Sequence, residues 1–302
     1  MTLPRIHHTS RVLFETPLVL FGFWRCPPDS ELWRSENCIG DRPVLALPWT
    51  SVVIEHAGAS AKLVTPNDVV YYGAKEPYKR QLSSDRGDLC TFISPSMELV
   101  QQVAAASGVD HRLEDGRPLF PFRFGPASSA VTVLQHSLAR LLMRDMVHEA
   151  LEVEELLTIA VHRLVTLAAT EQRRVVGISK KGSTARNHRD IVAGVRAAIA
   201  HHHDQNLSLT RLASLVHTSP YHLCRIFKSE TGQTVSGYSR RLRLRLAAEH
   251  LAQGESSIIS IALGSGFGSH AHFTSAWKRE FGFPPSALRR NHAILPLIRD
   301  RL

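Results

Sequence analysis

Cysteine is scarce in this 302-residue chain, and its four copies, Cys26, Cys38, Cys90 and Cys224, lie far apart with no Cys-x-x-Cys pair. That spacing argues against a disulfide or cysteine-metal framework and fits free thiols in a reducing cytoplasm. Long apolar runs are missing too. The run Thr16–Trp24 is too short to span a bilayer and lacks a small-residue cleavage site, so it reads as a strand. Neither a membrane span nor a targeting signal is expected. Metal-ligand patterns are equally thin: His201-His202-His203 and the pair His270 and His272 lack a third ligand, and His56 stands alone. Two glycine-bearing stretches fail as phosphate loops. Gly264-Ser265-Gly266-Phe267-Gly268 misses the third-glycine spacing, and Lys181-Gly182-Ser183 places lysine before glycine, the reverse of the required order. With no evident nucleophile–base arrangement, the expectation is no catalytic residue, no metal and no cofactor.

Acidic residues are short in one part only. Residues 173–302 hold 20 Lys/Arg against 7 Asp/Glu, a balance of +13, whereas residues 1–172 hold 16 against 20, a balance of −4. The net charge of +9 therefore resides in the C-terminal part, as in a domain that neutralises phosphates.

What is present divides the chain. Hydrophobic content of 43% and charged content of 21% suit a globular chain long enough for two cores. From 10 to 125, β-branched or aromatic runs at Leu18–Trp24, Val44–Leu47, Ser51–Glu55, Val69–Tyr72 and Leu89–Ile93 alternate with turn clusters, as in a small barrel or sandwich. Phe21, Phe23, Trp49, Tyr71, Tyr72 and Tyr78 are the aromatics there for a core or a pocket wall. Two amphipathic helices follow, one through Val131, Leu134, Leu138, Leu141 and Leu142, the other through Val153, Leu156, Leu157, Ala160, Leu164, Leu167 and Ala168. Burial against the β layer explains one of them; two in succession leave a face for pairing between subunits. Periodicity is lost from Glu171 to Arg189. The expected division is a domain over 1–172, a linker over 173–189, a helical domain over 190–291 and a tail over 292–302.

The helical domain contains a duplication. Ser219-Pro220-Tyr221-His222 through Gly232 recurs 50 positions later as Ser269-His270-Ala271-His272 through Gly282, with Lys228/Lys278 and Glu230/Glu280 also identical. Each copy is a serine-capped short helix ending at glycine. A shorter helix precedes each, capped by Ser208 and Ser257, which makes two helix-turn-helix units over about 209–230 and 258–280. The intervening helix, about 235–252, is roughly 27 Å long, comparable with the ~34 Å between successive major-groove faces of B-DNA.

At these residues the chain resembles the AraC/XylS family of bacterial transcription regulators. The match runs over about 190–291: Leu212-Ala213, Ser219, Leu223, Phe227-Lys228, Thr231-Gly232 and Tyr238 in the first unit, Arg241-Leu242 and Ala247 in the linking helix, and Ile261-Ala262, Gly266-Phe267, Ser269, Phe273, Lys278, Gly282, Pro285 and Arg289 in the second. His217, Trp277 and Leu288 depart from the family's usual Gly, Phe and Tyr. His217 in a glycine position implies a left-handed backbone there. The N-terminal part resembles the family's cupin-like sensor domains more loosely, through Tyr71, Glu76-Pro77-Tyr78 and Gly87-Asp88-Leu89-Cys90. The resemblance implies an α+β two-domain fold: a cupin-like β-barrel with a helical pair, then an all-α domain of two helix-turn-helix units joined by a linking helix. Its implied partners are double-stranded DNA, RNA polymerase and a small-molecule effector, in a cytoplasmic, nucleoid-associated homodimer.

Helical spacing sorts the recognition helices. In the first, Leu223, Ile226 and Phe227 face the core, leaving Tyr221, His222, Cys224 and Arg225 outward. Arg225 is the candidate for a bidentate guanine contact, worth about 1–3 kcal/mol of discrimination. In the second, Phe273, Ala276 and Trp277 face the core, leaving His270, Ala271, Thr274, Ser275 and Lys278 outward, with no arginine among the base-reading positions. Arg240, Arg241, Arg243 and Arg245 on the linking helix are the candidates for phosphate contacts. Two other classes compete: an effector-free architectural DNA-binding protein, and a DNA-repair alkyl-transfer enzyme, which would need a reactive cysteine cluster where only Cys26 and Cys38 stand.

Overall fold

Alternation decides the N-terminal half. In Asp68–Tyr72, Val69 and Tyr71 point to one side and Val70 and Tyr72 to the other, and all are buried, so this strand is sandwiched between two layers. The computed structural model describes residues 9–109, 120–144, 146, 149–178, 183–254, 256–289 and 294–302. Its strands are β1 (Thr9–Glu15), β2 (Val19–Cys26), β3 (Asn37–Cys38), β4 (Val44–Pro48), β5 (Val52–His56), β6 (Lys62–Val64), β7 (Asp68–Tyr72), β8 (Pro77–Leu82), β9 (Asp88–Pro95) and β10 (Phe124–Pro126). All pair antiparallel, in a six-stranded sheet ordered β1-β2-β9-β4-β7-β10 and a four-stranded sheet ordered β3-β8-β5-β6. The five strands expected from the sequence are present; β1 is not among them, and short β3, β6 and β10 and polar β8 carry too little periodicity to show there.

Three helices, α1 (Met97–Ala106), α2 (Ser129–Met143) and α3 (Ala150–Ile178), join the six-stranded sheet in one apolar core. The Tyr71 hydroxyl donates to the Leu164 carbonyl at 2.8 Å and pins α3 to β7. Helix α1 falls within a stretch that reads as β-rich.

The C-terminal half is α4 (Ser183–His201), α5 (Leu209–Leu215), α6 (Pro220–Thr231), α7 (Val235–Gln253), α8 (Ile258–Gly264), α9 (His270–Phe281), a 3-10 turn (Pro285–Arg289) and α10 (Leu295–Arg299). Local capping and spacing place α5 through α9 within a residue or so of the sequence expectation. A further helix is expected from the sequence over about 286–291; its first four positions fall in the 3-10 turn, and positions 290 and 291 lie outside the described residues.

Three expectations need correction. The stretch 173–189 is helical on both flanks, the end of α3 to Ile178 and the start of α4 from Ser183, so the loss of apolar periodicity there marks helix that leaves a core. The tail is packed: Leu295 and Ile298 of α10 are buried against α2. The helix pair keeps no free apolar face for a second subunit among the described residues. Helix α3 lies on the sheet, and α2, buried from Ala130 to Ala139, is covered on its far side by α7, α9 and α10.

Candidate nucleic-acid interface

Helices α6 and α9 each begin at a serine side-chain cap. Ser219 accepts from the His222 amide at 3.2 Å and Ser269 from the His272 amide at 3.1 Å; both helices end at a left-handed glycine, Gly232 and Gly282. Upstream, Ser208 and Ser257 cap α5 and α8 in the same way. The tight turns match as well. Thr218 N–H donates to Ala213 O and Phe267 N–H to Ala262 O, both at 3.0 Å, and the residue before each donor is left-handed, His217 at φ 51° and Gly266 at φ 77°. A Cβ on Gly266 would lie 2.8 Å from the Asp204 carbonyl, whereas His217 bears its side chain in the same backbone region.

These matched positions sharpen the repeat. Ser208/Ser257, Ala213/Ala262 and His217/Gly266 stand 49 apart, while Ser219/Ser269 stand 50 apart. Gly268 is the extra residue, placed just before the second recognition helix. The Ser269 cap is accordingly more extended (φ −160°) than Ser219 (φ −81°).

The outward residues fall where helical spacing put them. Tyr221 is 80% exposed, Cys224 and Arg225 are exposed, and His222 is partly buried, with an Arg225 guanidinium nitrogen 3.4 Å from its Nδ1. On α9, His270, Ala271, Ser275 and Lys278 are exposed and Thr274 is half-buried. Leu223, Ile226 and Phe227 in α6 and Phe273, Ala276 and Trp277 in α9 are buried.

The four arginines of α7 do not share a fate. Arg245 is buried: it donates to Asn67 Oδ1 at 3.0 Å and to the Ala127 carbonyl at 2.8 Å, both in the β domain. Burial, first, holds its pKa down to about 10, against the pull of Glu280. Arg243 donates to the carbonyls of Gly266 and Gln205, stapling the second turn to the loop before α5. Arg241 donates to Gln233 at 2.9 Å and lies 3.5 Å from Glu280. Arg240 is exposed. The expectation of phosphate contact is therefore corrected for Arg245, whose charge is enclosed by protein. Its setting in Leu244-Arg245-Leu246-Ala247-Ala248 was the available signal, since a cation inside a small apolar run on a helix faces a partner.

The two halves meet along a polar seam that sequence alone does not show. Arg196 of α4 pairs with Asp68 at 2.5 Å and donates to the Tyr238 hydroxyl at 3.2 Å; that hydroxyl also lies 3.1 Å from Thr65. Arg174 of α3 donates to the carbonyls of Ser229 and Glu230 at the end of α6. On the other flank, Arg86 in the β8–β9 turn chelates the buried Glu249 of α7.

The β domain also holds a half-open cavity of about 430 Å³ between its sheets, walled by Trp24, Ile54, Val70, Tyr72 and Phe92 with Arg80 and Asp88. Tyr72 and Tyr78 line it, whereas Phe21 and Tyr71 belong to the core on the helix side. Among the described residues, no group of three or more His, Cys, Asp or Glu is arranged to hold a metal ion, and no helix is long and apolar enough to cross a membrane.

The fold and these surfaces define a class: a sheet-rich N-terminal region joined to a helical region with two capped, outward-facing helices of the kind that enter DNA grooves. The family described as a helix-turn-helix domain matches residues 212–291. Over 103 residues the chain is 35% identical to the regulatory protein SoxS of Escherichia coli (strain K12), covering 34% of this chain and 96% of SoxS. It is 41% identical over 87 residues to the HTH-type transcriptional regulator GlxA of Rhizobium meliloti (strain 1021), covering 29% of this chain but 27% of GlxA, so the match spans about a quarter of that relative's length. A solved AraC-type DNA-binding regulator from Chromobacterium violaceum is 30% identical, with a TM-score of 0.33, over 34% of this chain and 93% of that one. The chain belongs to the AraC/XylS family of transcription regulators.

Proposed function

We propose that this chain is a sequence-specific DNA-binding regulator of transcription whose N-terminal domain senses a small molecule. The observation that carries it is the pair of equivalent capped helices, α6 and α9, each exposing its outward face, at either side of a 19-residue helix about 28 Å long. That spacing suits two adjacent major-groove segments. Tyr221, His222, Cys224 and Arg225 would read bases from α6, with His270, Ala271, Thr274, Ser275 and Lys278 on α9. Arg240 is the phosphate contact on α7. RNA polymerase is a further partner if the regulator acts as an activator.

The sensing half of the proposal rests on the cavity between the two sheets, which supports a cupin-like reading of the β domain, and on its route to α7. Arg80 in the cavity wall pairs with Asp88 at 2.7 Å, and Arg86, two residues before Asp88, holds Glu249. Gly87 between them packs against the Cys26 carbonyl, where a Cβ would stand 2.2 Å away. A change at Arg80 or Asp88 therefore reaches the linking helix through three consecutive residues. An effector-free architectural role has no use for that cavity.

Selection of DNA from a random pool by the full chain tests the reading. The expected product is a site with two blocks about one helical turn (~10 bp) apart. Recovery of sequences no better than the input pool would overturn it.

A further inference from the structure

The cavity between the sheets has a composition that specifies its occupant, and this inference rests on the sensing role proposed above. Its walls are largely apolar, with the polar residues Ser10, Glu36 and Asn37 also lining it, and a buried ion pair marks one place. There the Arg80 guanidinium lies between the rings of Trp24, 4.8 Å away, and Tyr78, 5.1 Å away, with Asp88 on one side and the Tyr78 hydroxyl on another. Arg80 is 3% exposed, and its Nε has no hydrogen-bond partner among the described residues. A guanidinium offers five N–H donors, so a buried donor set stands next to a buried carboxylate acceptor. Burial alone lowers the pKa of Arg80, but Tyr78, Asp88, Tyr72 and Cys26 around it raise it overall, so it stays charged. Burial, and then Asp88, push the Cys90 thiol well up, which makes this wall residue a neutral surface rather than a nucleophile.

Charge balance then chooses the ligand. Arg80 is already matched by Asp88, and Glu36 stands exposed at the edge of the cavity. A carboxylate entering this space would be the second or third negative charge against one cation, and an ammonium would face Arg80. Either leaves an unbalanced charge beside the buried Arg80–Asp88 pair, which is unfavourable. A polyhydroxylated molecule would leave most of its hydroxyls unpaired against Ile54, Val70 and Phe92.

We infer that the cavity takes a neutral, largely apolar ring molecule carrying a single hydroxyl or carbonyl, which sits against the aromatic wall and hydrogen-bonds to the Arg80–Asp88 pair. The size fits a two-ring molecule within the usual range for small-molecule sites.

The test uses the full chain and four probes that share one ring system: naphthalene, 2-naphthol, 2-naphthoate and 2-naphthylmethylammonium, with a pentose as a fifth. Thermal unfolding is followed with each. The expected result is a rise of about 4 °C from 2-naphthol at a hundredfold excess over its Kd, with a smaller rise from naphthalene and none from the others. Ala46→Phe, which fills the cavity from a partly open wall position, removes the response while the protein stays folded. Arg80→Met brings 2-naphthol down to the naphthalene value. A larger shift from either charged probe or from the pentose, equal shifts from naphthalene and 2-naphthol, or no shift from any probe, would overturn the inference. Affinity for the selected DNA, with and without 2-naphthol, is a separate readout. Binding of 2-naphthol that leaves DNA affinity unchanged would remove the sensing role while the ligand class stands.

Discussion

The two helix-turn-helix units share caps, turns and lengths, yet they are attached to the β domain by different physics. The first has its own core, Ile191, Val192, Val195 and Ile199 of α4 with Leu212, Leu223, Phe227 and Leu242, and meets the β domain through hydrogen bonds and the Asp68–Arg196 pair. The second has no separate core. Phe273, Trp277 and Phe281 run continuously through Ala247, Ala248 and Leu251 of α7 into Leu134 and Leu138 of α2. A duplicated unit has thus been kept as an independent module in one copy and absorbed in the other. Because polar seams open more readily than apolar ones, the first unit is the one whose orientation a signal can change at low cost.

The largest test of that difference is in the cores. Phe227→Ala and Trp277→Ala each remove a fully buried aromatic and should cost about 3–5 kcal/mol. In calorimetry, Phe227→Ala should split off an early transition for the first unit and leave the main one in place. Trp277→Ala should lower the main transition itself, carrying the β domain with it. If the two variants give the same profile, the cores are not separate.

Acid separates the seams next. His136 on α2 is buried against Trp49, ring centroids 4.5 Å apart, and its Nδ1 has no hydrogen-bond partner among the described residues. Desolvation chiefly, opposed by Glu249 and aided by His250, pulls its pKa down to about 4. The unfolded chain binds this proton near pH 6.5 and the fold does not, so stability is full above that pH and falls as pH drops toward 4, by about 3 kcal/mol. Asp68 of the first seam acts in the same direction but in a lower pH window. Burial raises its pKa, but Arg196 and Lys62 outweigh that and hold it below the usual carboxylate value. Its contribution persists until pH falls below about 4. Unfolding temperatures from pH 7 to 4.5 should therefore decline in the wild type and flatten in His136→Leu. An unchanged slope in that variant would assign the acid sensitivity elsewhere.

What the sequence made legible follows the range of the interaction. Caps, turns and the helix edges of α5–α9 rest on contacts within four residues, and the residues themselves declare them; even the left-handed His217 was visible as a departure from glycine. The sorting of α6 and α9 into buried and outward faces needed only the 3.6-residue period. The fate of Arg245 did not, because its partners Asn67 and Ala127 lie more than 100 residues away. The same holds for Arg86–Glu249, 163 residues apart. Arg80 and Asp88 are close in the chain but on strands of different sheets, so their burial as a pair was not legible either. The helix pair misled for the same reason: an apolar face on α2 announces a partner without saying that the partner is the chain's own α7.

On DNA the comparison becomes one of chemistry. Arg225→Ala should reduce discrimination between the selected site and one altered in the first block by about 1–3 kcal/mol, roughly 5- to 150-fold, in competition binding. Thr274→Ala, on the half-buried position of α9, should change discrimination in the second block by less. A larger loss from Thr274→Ala would reverse the assignment of the dominant reader.

The smallest effect separates two arginines five residues apart on α7. Arg240 is exposed, while Arg245 is enclosed and bonded to the β domain. A lysine or arginine that neutralises one phosphate adds about 0.9 to the slope of log affinity against log salt. Arg240→Gln should lower that slope by about this amount, equally on specific and scrambled DNA, since a phosphate carries no sequence. Arg245→Met should leave the slope alone and act on unfolding temperature instead, because its removal strips donors from Asn67 and the Ala127 carbonyl. A salt slope that falls in Arg245→Met would mean that α7 leaves the β domain on DNA, and that the second unit is released as freely as the first.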